Sequence, residues 1–264
     1  MIESPEMTSA SRFEPVRVWG VPFAPFTMSQ TLEHIDQCIT GGGSPKYFIT
    51  ANLNYVMLCE RNDRLKEINE KASFILADGK PIVWATRFRK KKLPERVAGA
   101  DLIPLLCAHA AEKKYRLYFL GGAPGTAEIA AQKMKEKYPG LEIAGIECPP
   151  FRQLTEEEHK AQLERIRQSN THLLFVAFGQ PKGEYWMSEN LAQTGVPLAV
   201  QIGGTFDFMS GRLARAPRWM QKVGLEWLFR WLQEPRRLGG RYISNIFFIC
   251  KMLFRDVFGL NKGK

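Results

Sequence analysis

No stretch of this chain is apolar for long enough to cross a bilayer. The longest uninterrupted runs, residues 173–178 and 246–250, fall far short of the roughly 18 residues that a spanning helix requires. Cysteine is scarce: Cys38, Cys59, Cys107, Cys148 and Cys250 are odd in number, scattered, and never form Cys-X-X-Cys. That usage argues against a disulfide framework and for buried thiols in a reducing compartment. The four histidines, His34, His109, His159 and His172, lack the close spacing and neighbouring cysteines of a zinc site, so no metal is expected. The opening residues 1–15 are polar and lack the basic start and apolar middle of a signal peptide. They are expected to form a disordered leader.

What is present is a chain of 264 residues, 45% hydrophobic and 24% charged, the composition of a folded globular protein with a substantial core. Its charge is polarised. The net charge is +10, and residues 212–264 alone hold twelve Lys and Arg against Glu226, Glu234 and Asp256, which leaves the first 211 residues close to neutral. The same segment carries Trp219, Trp227 and Trp231. A basic, aromatic tail points to a polyanionic partner, either nucleic acid or an anionic membrane surface.

Before that tail, short apolar runs alternate with turns and helical patterns. Residues 46–50 read as a strand leading into Ala51-Asn52-Leu53-Asn54 and a helical pattern over 55–72; residues 74–77 form a second strand ending at Asp78-Gly79. Residues 116–120 lead into Gly121-Gly122-Ala123-Pro124-Gly125 and a helix over 126–138, with Thr126 as its expected N-cap and Pro139-Gly140 as its stop. A further short strand covers 142–145. Residues 172–178 lead into Gly179-Gln180-Pro181-Lys182 and a helix near 184–193, and residues 198–202 run into Gly203-Gly204-Thr205. This recurrence predicts an α/β fold, a Rossmann-like, mostly parallel sheet flanked by helices. A composition shift near Gly211 marks the expected boundary between an α/β domain over 16–211 and a helical appendage over 212–264.

In parallel sheets ligands sit at the carboxyl ends of the strands, and the glycine turns are those ends. Gly121-Gly122 and Gly203-Gly204, each after a strand, can bring backbone amides against a phosphate, and Asp207 can accept hydrogen bonds from a ribose or base. Neither loop has the Gly-X-Gly-X-X-Gly spacing of a dinucleotide fingerprint. Each reads equally as a plain turn when taken alone; together they suggest a nucleotide binder. Asp78, at a strand end beside Thr50 and Asn52, suits a general base, with a turn-capping carboxylate as the plainer alternative. Arg96, beyond the basic run Arg87-Phe88-Arg89-Lys90-Lys91-Lys92, can hold a phosphate in bidentate fashion.

In the tail, Trp219, Val223, Trp227 and Trp231 recur every four residues, an apolar stripe along one expected helix. A second stripe runs through Tyr242, Ile243, Ile246, Phe247, Ile249, Cys250, Leu253, Phe254, Val257 and Phe258, bordered by Arg241, Lys251 and Arg255. Aromatic anchors with a basic border suit a helix lying in an anionic membrane surface. Packing against the core or between copies in a homo-oligomer is the alternative. Nucleic acid is not expected, because the apolar face is too extensive for a phosphate-binding arm.

Taken together, these motifs resemble the WecG/TagA/CpsF family of bacterial glycosyltransferases. The matching pieces are Ile49-Thr50-Ala51-Asn52, Ala77-Asp78-Gly79, Arg96-Val97-Ala98-Gly99-Ala100-Asp101, Phe119-Leu120-Gly121-Gly122-Ala123-Pro124 and Phe178-Gly179-Gln180-Pro181-Lys182-Gly183-Glu184. They continue through Gly203-Gly204-Thr205-Phe206-Asp207, Gly211, Arg215-Ala216-Pro217, Leu225-Glu226-Trp227 and Glu234-Pro235-Arg236-Arg237. The resemblance implies inverting transfer of a hexose or N-acetylhexosamine, such as N-acetylmannosamine, from a UDP-sugar to a polyprenyl-diphosphate-linked saccharide. It places that reaction in cell-envelope or exopolysaccharide synthesis, on the cytoplasmic face of the plasma membrane. By the same resemblance Asp78 is the general base, Thr50 and Asn52 line the sugar pocket, Arg96 stabilises diphosphate charge and Gln180 contacts donor or acceptor. Gly121, Gly122, Pro124, Gly179, Lys182, Gly203, Gly204 and Asp207 fall on the substrate side, and Arg230, Arg237 or Arg241 offsets charge on the leaving UDP. Residues 212–264 dock on the membrane as a peripheral appendage.

Two positions depart from the family pattern, which usually reads Pro-Lys-Gln-Glu where this chain has Pro181-Lys182-Gly183-Glu184, and which lacks Gly239-Gly240 before the last arginine. No Asp-X-Asp triplet occurs, so donor diphosphate binding through such a metal motif is not expected, and no cofactor is implied. Two other readings compete with the transferase: a non-catalytic, nucleotide-binding membrane adaptor, and an NAD-type oxidoreductase using the Gly121 loop.

Overall fold

The computed structural model describes residues 13–258, so the expected leader up to residue 12 and the last six residues lie outside the described residues. Within the remainder of that leader, the Phe13 ring packs edge-on against Phe26 at 4.7 Å. An antiparallel ribbon, β1 (Val16–Val18) and β2 (Val21–Phe23), precedes α1 (Met28–Thr40), β3 (Lys46–Ala51), α2 (Leu53–Glu60), α3 (Asp63–Lys71) and β4 (Phe74–Ala77). Then follow α4 (Lys80–Trp84), α5 (Gly99–Lys113), β5 (Arg116–Gly121), α6 (Thr126–Lys137), β6 (Glu142–Glu147) and α7 (Glu156–Gln168). The chain continues through β7 (Leu173–Ala177), α8 (Lys182–Thr194), β8 (Leu198–Gln201), α9 (Thr205–Met209), α10 (Arg218–Lys222), α11 (Glu226–Gln233) and α12 (Pro235–Val257).

Six strands form one parallel sheet in the order β4-β3-β8-β7-β5-β6. This is the α/β architecture that the strand, turn and helix rhythm predicts. Side chains alternate across the sheet, so each strand feeds two apolar layers. Phe48, Leu117, Phe119, Phe175 and Val200 enter the layer covered by α1, α5, α6 and α9. Ile49, Tyr118, Leu120, Leu174, Val176 and Ala199 enter the opposite layer, with α2, α3 and α8. Burial on both faces explains why these strands read as continuous apolar runs rather than as alternating patterns.

Local chemistry corrects three sequence expectations. The helical pattern over 55–72 is two helices, because Asn62 takes an extended conformation and caps α3 by accepting from the Leu65 amide. Thr126 does not cap α6: Gly125, in the left-handed region, holds that position, while the Thr126 hydroxyl donates to the Ala123 carbonyl at 2.6 Å. The tryptophan stripe is likewise split. Gly224, at φ +78°, separates α10 from α11, and a Cβ there would lie 3.3 Å from both Lys80 and the Trp84 ring.

Of the second expected stripe Tyr242 is buried, while Ile243, Ile246, Phe247, Leu253 and Phe254 stay exposed; the buried face of α12 is completed by Leu238, Phe248 and Met252, the last two in the layer that holds α2. Polar contacts pin the helix on the same side: Trp19 Nε1 donates to Asp256 at 3.0 Å, and Lys251 pairs with Glu60 at 2.6 Å. Gly239 has a structural use, since a Cβ there would stand 3.4 Å from Trp231 Nε1, letting α12 run close beneath α11. No described helix is long and apolar enough to cross a membrane.

Two glycines of one loop separate strain from crowding. Gly125 has φ +79° with open space around its Cα, whereas Gly121 has φ +93° and a Cβ there would meet the Phe178 ring at 2.8 Å. Gly125→Ala is expected to cost about 1–2 kcal/mol of backbone strain. Gly121→Ala adds overpacking worth about 1–3 kcal/mol. Urea unfolding of the two variants measures the difference.

Candidate active site

The parallel strands deliver their carboxyl ends to one edge, where two adjoining regions form. The larger is a cleft of about 1010 Å³ lined by the ends of β5, β7 and β8 and by the loop before α7. Gly121, Gly122, Gly179, Lys182, Gly203, Gly204, Asp207 and Arg237 all border it. Ala123 of the first loop lines it as well, whereas Pro124 does not. Asp207 also accepts from Arg212 at 3.2 Å. Pro149 to Thr155, including the exposed Phe151, form a wall that the sequence reading missed, because an irregular loop carries no periodic signal.

The second region lies on β3 and β4 and holds the Asp78 carboxylate. β3 pairs with β4 so that Thr50 stands opposite Leu76 and Ala51 opposite Ala77, and the Asp78 amide donates to the Ala51 carbonyl at 3.0 Å. The Asp78 carboxylate accepts from the Gly99 amide at the start of α5, a long contact of 3.4 Å. Gly99 is needed there, since a Cβ would stand 3.2 Å from Thr50 Oγ1. Thr50 is buried, and its hydroxyl donates to the Gln201 carbonyl at 3.3 Å. Asn52 caps α2 by accepting from the Tyr55 amide, which leaves its NH2 group as the donor available to a ligand. Gln180 reaches the Thr50 carbonyl at 3.4 Å and so bridges the two regions.

Burial drives the Asp78 pKa up to about 6; Arg96 opposes the rise, Glu226 and Asp101 add to it, and the Gly99 amide opposes it. The result is a base stronger than an ordinary carboxylate yet mostly ionised at neutral pH. Arg96 is already engaged. It pairs with Asp101 at 2.8 Å and with Glu226 at 3.0 Å, and Arg215 pairs with the same two carboxylates at 2.9 and 2.8 Å. These four residues close a ring joining the β4–α5 loop, α5, the segment before α10, and α11. Arg96 therefore acts on its surroundings as a held positive charge, with two of its guanidinium nitrogens occupied by carboxylates. Sequence motifs contained Asp101, Arg215 and Glu226 but carried no sign that they meet.

Three tail arginines approach the same edge. The Arg230 guanidinium lies 5.0 Å from the centre of the Phe208 ring, and one of its terminal nitrogens would be 3.8 Å from a Cβ at Gly204. Burial lowers the Arg241 pKa, with Tyr242 opposing, Arg230 and Arg237 adding to the fall, and Asp78 opposing it. The Nε atoms of Arg230 and Arg241 are buried without a hydrogen-bond partner. Arg237 pairs with Glu234 while bordering the cleft. Crowded guanidinium groups with unused buried donors have the chemistry to hold an anion. Among the described residues no group of three or more His, Cys, Asp or Glu is placed to hold a metal ion.

The sequence model of the glycosyl transferase WecG/TagA/CpsF family matches residues 16–262. An N-acetylglucosaminyldiphosphoundecaprenol N-acetyl-beta-D-mannosaminyltransferase of Bacillus spizizenii is 29% identical over 215 residues, covering 81% of this chain and 82% of that protein.

The ion-pair ring should behave as a unit. Glu226→Ala is expected to lose more than the ~1 kcal/mol of an exposed pair and less than the ~3–5 kcal/mol of a fully buried one. In a double-mutant cycle with Arg215→Ala, the two losses should be non-additive by about 0.5–3 kcal/mol. Denaturant unfolding of the four proteins reads both quantities.

Proposed function

Because the chain belongs to the WecG/TagA/CpsF family and is therefore a glycosyltransferase, we propose that it moves a hexose or N-acetylhexosamine from a UDP-sugar to a saccharide carried on a polyprenyl diphosphate. The printed name of the Bacillus relative describes an acceptor on undecaprenyl diphosphate and transfer of N-acetylmannosamine, which supports this class of acceptor and donor sugar. Membership in a transferase family sets aside the adaptor and oxidoreductase readings. The observation that carries the mechanism is Asp78: a carboxylate whose pKa is lifted to about 6, one strand away from the glycine-lined cleft and within range of the tail arginines.

In this reading the cleft takes the nucleoside diphosphate, whose phosphates meet the backbone of Gly121, Gly122, Gly203 and Gly204. The sugar extends toward Thr50, Asn52 and Gln180. An acceptor hydroxyl gives its proton to Asp78 as its oxygen attacks the sugar's anomeric carbon, and the bond to the UDP oxygen breaks. Arg230, Arg237 and Arg241 offset the charge that develops on the departing diphosphate, a contribution of several kcal/mol in a closed site. Charge stabilisation by arginine supports a route without a metal or further cofactor. A single displacement, hence inversion, is supported by the state of the other carboxylates. Asp101 and Glu226 are tied to arginines, leaving Asp78 as the carboxylate available for proton transfer, whereas a double displacement needs a second as nucleophile.

The outer face of α12, with Ile243, Ile246, Phe247, Leu253 and Phe254, supports peripheral docking on an anionic membrane surface at the cytoplasmic side, where lipid-linked acceptors present their diphosphates. The same face offers a surface for self-association in the absence of lipid.

UDP release should be measured with a panel of UDP-sugars, with and without a lipid-diphosphate-linked acceptor. Release with one donor should depend on acceptor and fall at least about 100-fold in Asp78→Asn, with UDP affinity retained. Since Asp78 accepts a proton only when ionised, kcat/KM should decline tenfold per pH unit below about 6. Wild-type turnover in Asp78→Asn would refute the base assignment. Phe247→Ser with Phe254→Ser should weaken sedimentation with vesicles containing anionic lipid severalfold; unchanged sedimentation would count against docking through α12.

A further inference from the structure

The basic run Arg87-Phe88-Arg89-Lys90-Lys91-Lys92 takes no part in the mechanism above. It forms a loop between α4 and α5 whose feet are closed: Thr86 is buried, and its hydroxyl oxygen accepts from the amide of Leu93, also buried, at 3.1 Å. Arg89 pins the loop from within, donating to the Arg17 carbonyl at 2.7 Å and pairing with Asp256 in the last turn of α12 at 3.6 Å. On this fixed loop Phe88 is 97% exposed, so its ring buries almost nothing in the protein. One exposed phenylalanine is ordinary. Its neighbours make this one different. Trp84, at the end of α4, is 51% exposed, with its ring beside Gly224 of the turn between α10 and α11. Just before that turn Trp219 and Val223 are exposed as well, one turn apart, the Val223 amide donating to the Trp219 carbonyl at 3.1 Å. Large apolar side chains from two distant parts of the chain thus adjoin on one surface.

Cations border that surface. Arg87, Lys90 and Lys92 of the loop and Arg218 and Lys222 of α10 are exposed, and none of the ion pairs among the described residues includes them. The acidic groups around them are already engaged: Glu14 with Lys91, Asp256 with Arg89, Glu226 with Arg96 and Arg215, and Glu95 with the Met28 amide. The surplus is therefore positive. Aromatic rings inside a cationic border match the boundary of an anionic bilayer, where the rings enter among the acyl chains and Lys and Arg remain with the lipid phosphates. Pairing with a second copy through the same surface would instead set these cations against one another.

We propose that the α4–α5 loop is a second membrane anchor, built into the sheet domain and separate from the outer face of α12: Phe88, Trp84 and Trp219 enter an anionic bilayer surface while Arg87, Lys90 and Lys92 hold lipid phosphates. Docking through this surface does not depend on the chemistry at Asp78. Its consequence for turnover rests on the transferase reading. Helix α4 begins two residues after Asp78, so the Cα atoms of Asp78 and Trp84 are at most about 11 Å apart. A bilayer that takes in Trp84 brings lipid-borne diphosphates near the height of Asp78.

The test uses the full chain, with vesicles of equal parts phosphatidylglycerol and phosphatidylcholine beside vesicles of phosphatidylcholine alone. Phe88→Ser should weaken partition to the anionic vesicles about 10-fold. Replacing Arg87, Lys90 and Lys92 together by Gln should weaken it about 10- to 100-fold and remove most of its salt dependence, with little change on phosphatidylcholine alone. Adding Phe88→Ser to the α12 pair Phe247→Ser and Phe254→Ser should lower partition by the same factor again. With both loop variants the Kd for UDP and turnover of a short-chain, water-soluble acceptor should match wild type, while turnover of an acceptor embedded in vesicles falls with partition. Wild-type partition in both loop variants, or a combined variant that binds no more weakly than the α12 pair, overturns the proposal and leaves the transferase reading intact. A Phe88→Ser protein that changes from dimer to monomer in sedimentation velocity, with partition unchanged, assigns the surface to a second copy and overturns it too. Weakened partition without turnover of any donor supports the anchor and counts against the transferase reading instead.

Discussion

Parallel pairing of β3, β8, β7 and β5 is the constraint from which the rest follows. Strands that run the same way must end on the same edge, and the chain must turn there each time before a helix can return it. Each turn is short, so the residue after each strand is set at the rim: Asp78 after β4, Gly121 and Gly122 at the end of β5, and Gly203 and Gly204 just beyond β8. Asp78, the glycine-lined cleft and Gln180 thus become neighbours although they are scattered over more than a hundred positions.

Onto that edge the last three helices bring charge, and a ring of ion pairs decides where they sit. Arg96 and Asp101 belong to the sheet domain, Arg215 and Glu226 to the segment that follows it, and each carboxylate is shared by both arginines. The ring leaves Arg230, Arg237 and Arg241 to form the concentrated positive field. It also tunes Asp78, since Arg96 favours the ionised form while Glu226 and Asp101 oppose it. Anchoring and electrostatics are therefore one arrangement: displacing α11 would remove a carboxylate that acts on Asp78 and move Arg230 away from Gly204. The two faces of α12 extend this coupling, because the face buried with α2 fixes the helix while the opposite face stays apolar and open.

Buried polar chemistry beneath the edge is the less visible half of the design. Thr50, Gln180 and Gln201 are neutral groups that join strand ends to the turn before α8. Gly183 belongs to this arrangement, since the space a side chain would take there is filled by Gln201 from the neighbouring strand. The departure from the family's Pro-Lys-Gln-Glu pattern is thus a packing solution within this chain.

The fold class, the glycine turns and the position of Asp78 at a strand end were legible because each rests on local rules: apolar runs of strand length, turns that require positive φ, and a carboxylate set just after a strand. Concentration of positive charge in the tail needed only counting. Helix ends were less legible, since Asn62 and Gly224 interrupt patterns whose apolar periodicity runs on through them. What tertiary structure alone decided was pairing. That Arg96 meets Glu226, that Arg215 meets Asp101, and that Phe248 and Met252 of α12 enter the layer that holds α2 are contacts between residues far apart in the chain. Periodicity and spacing report which face a residue takes on its own element; only the packed molecule determines which partner it meets there, and with it the charge that a buried group can keep.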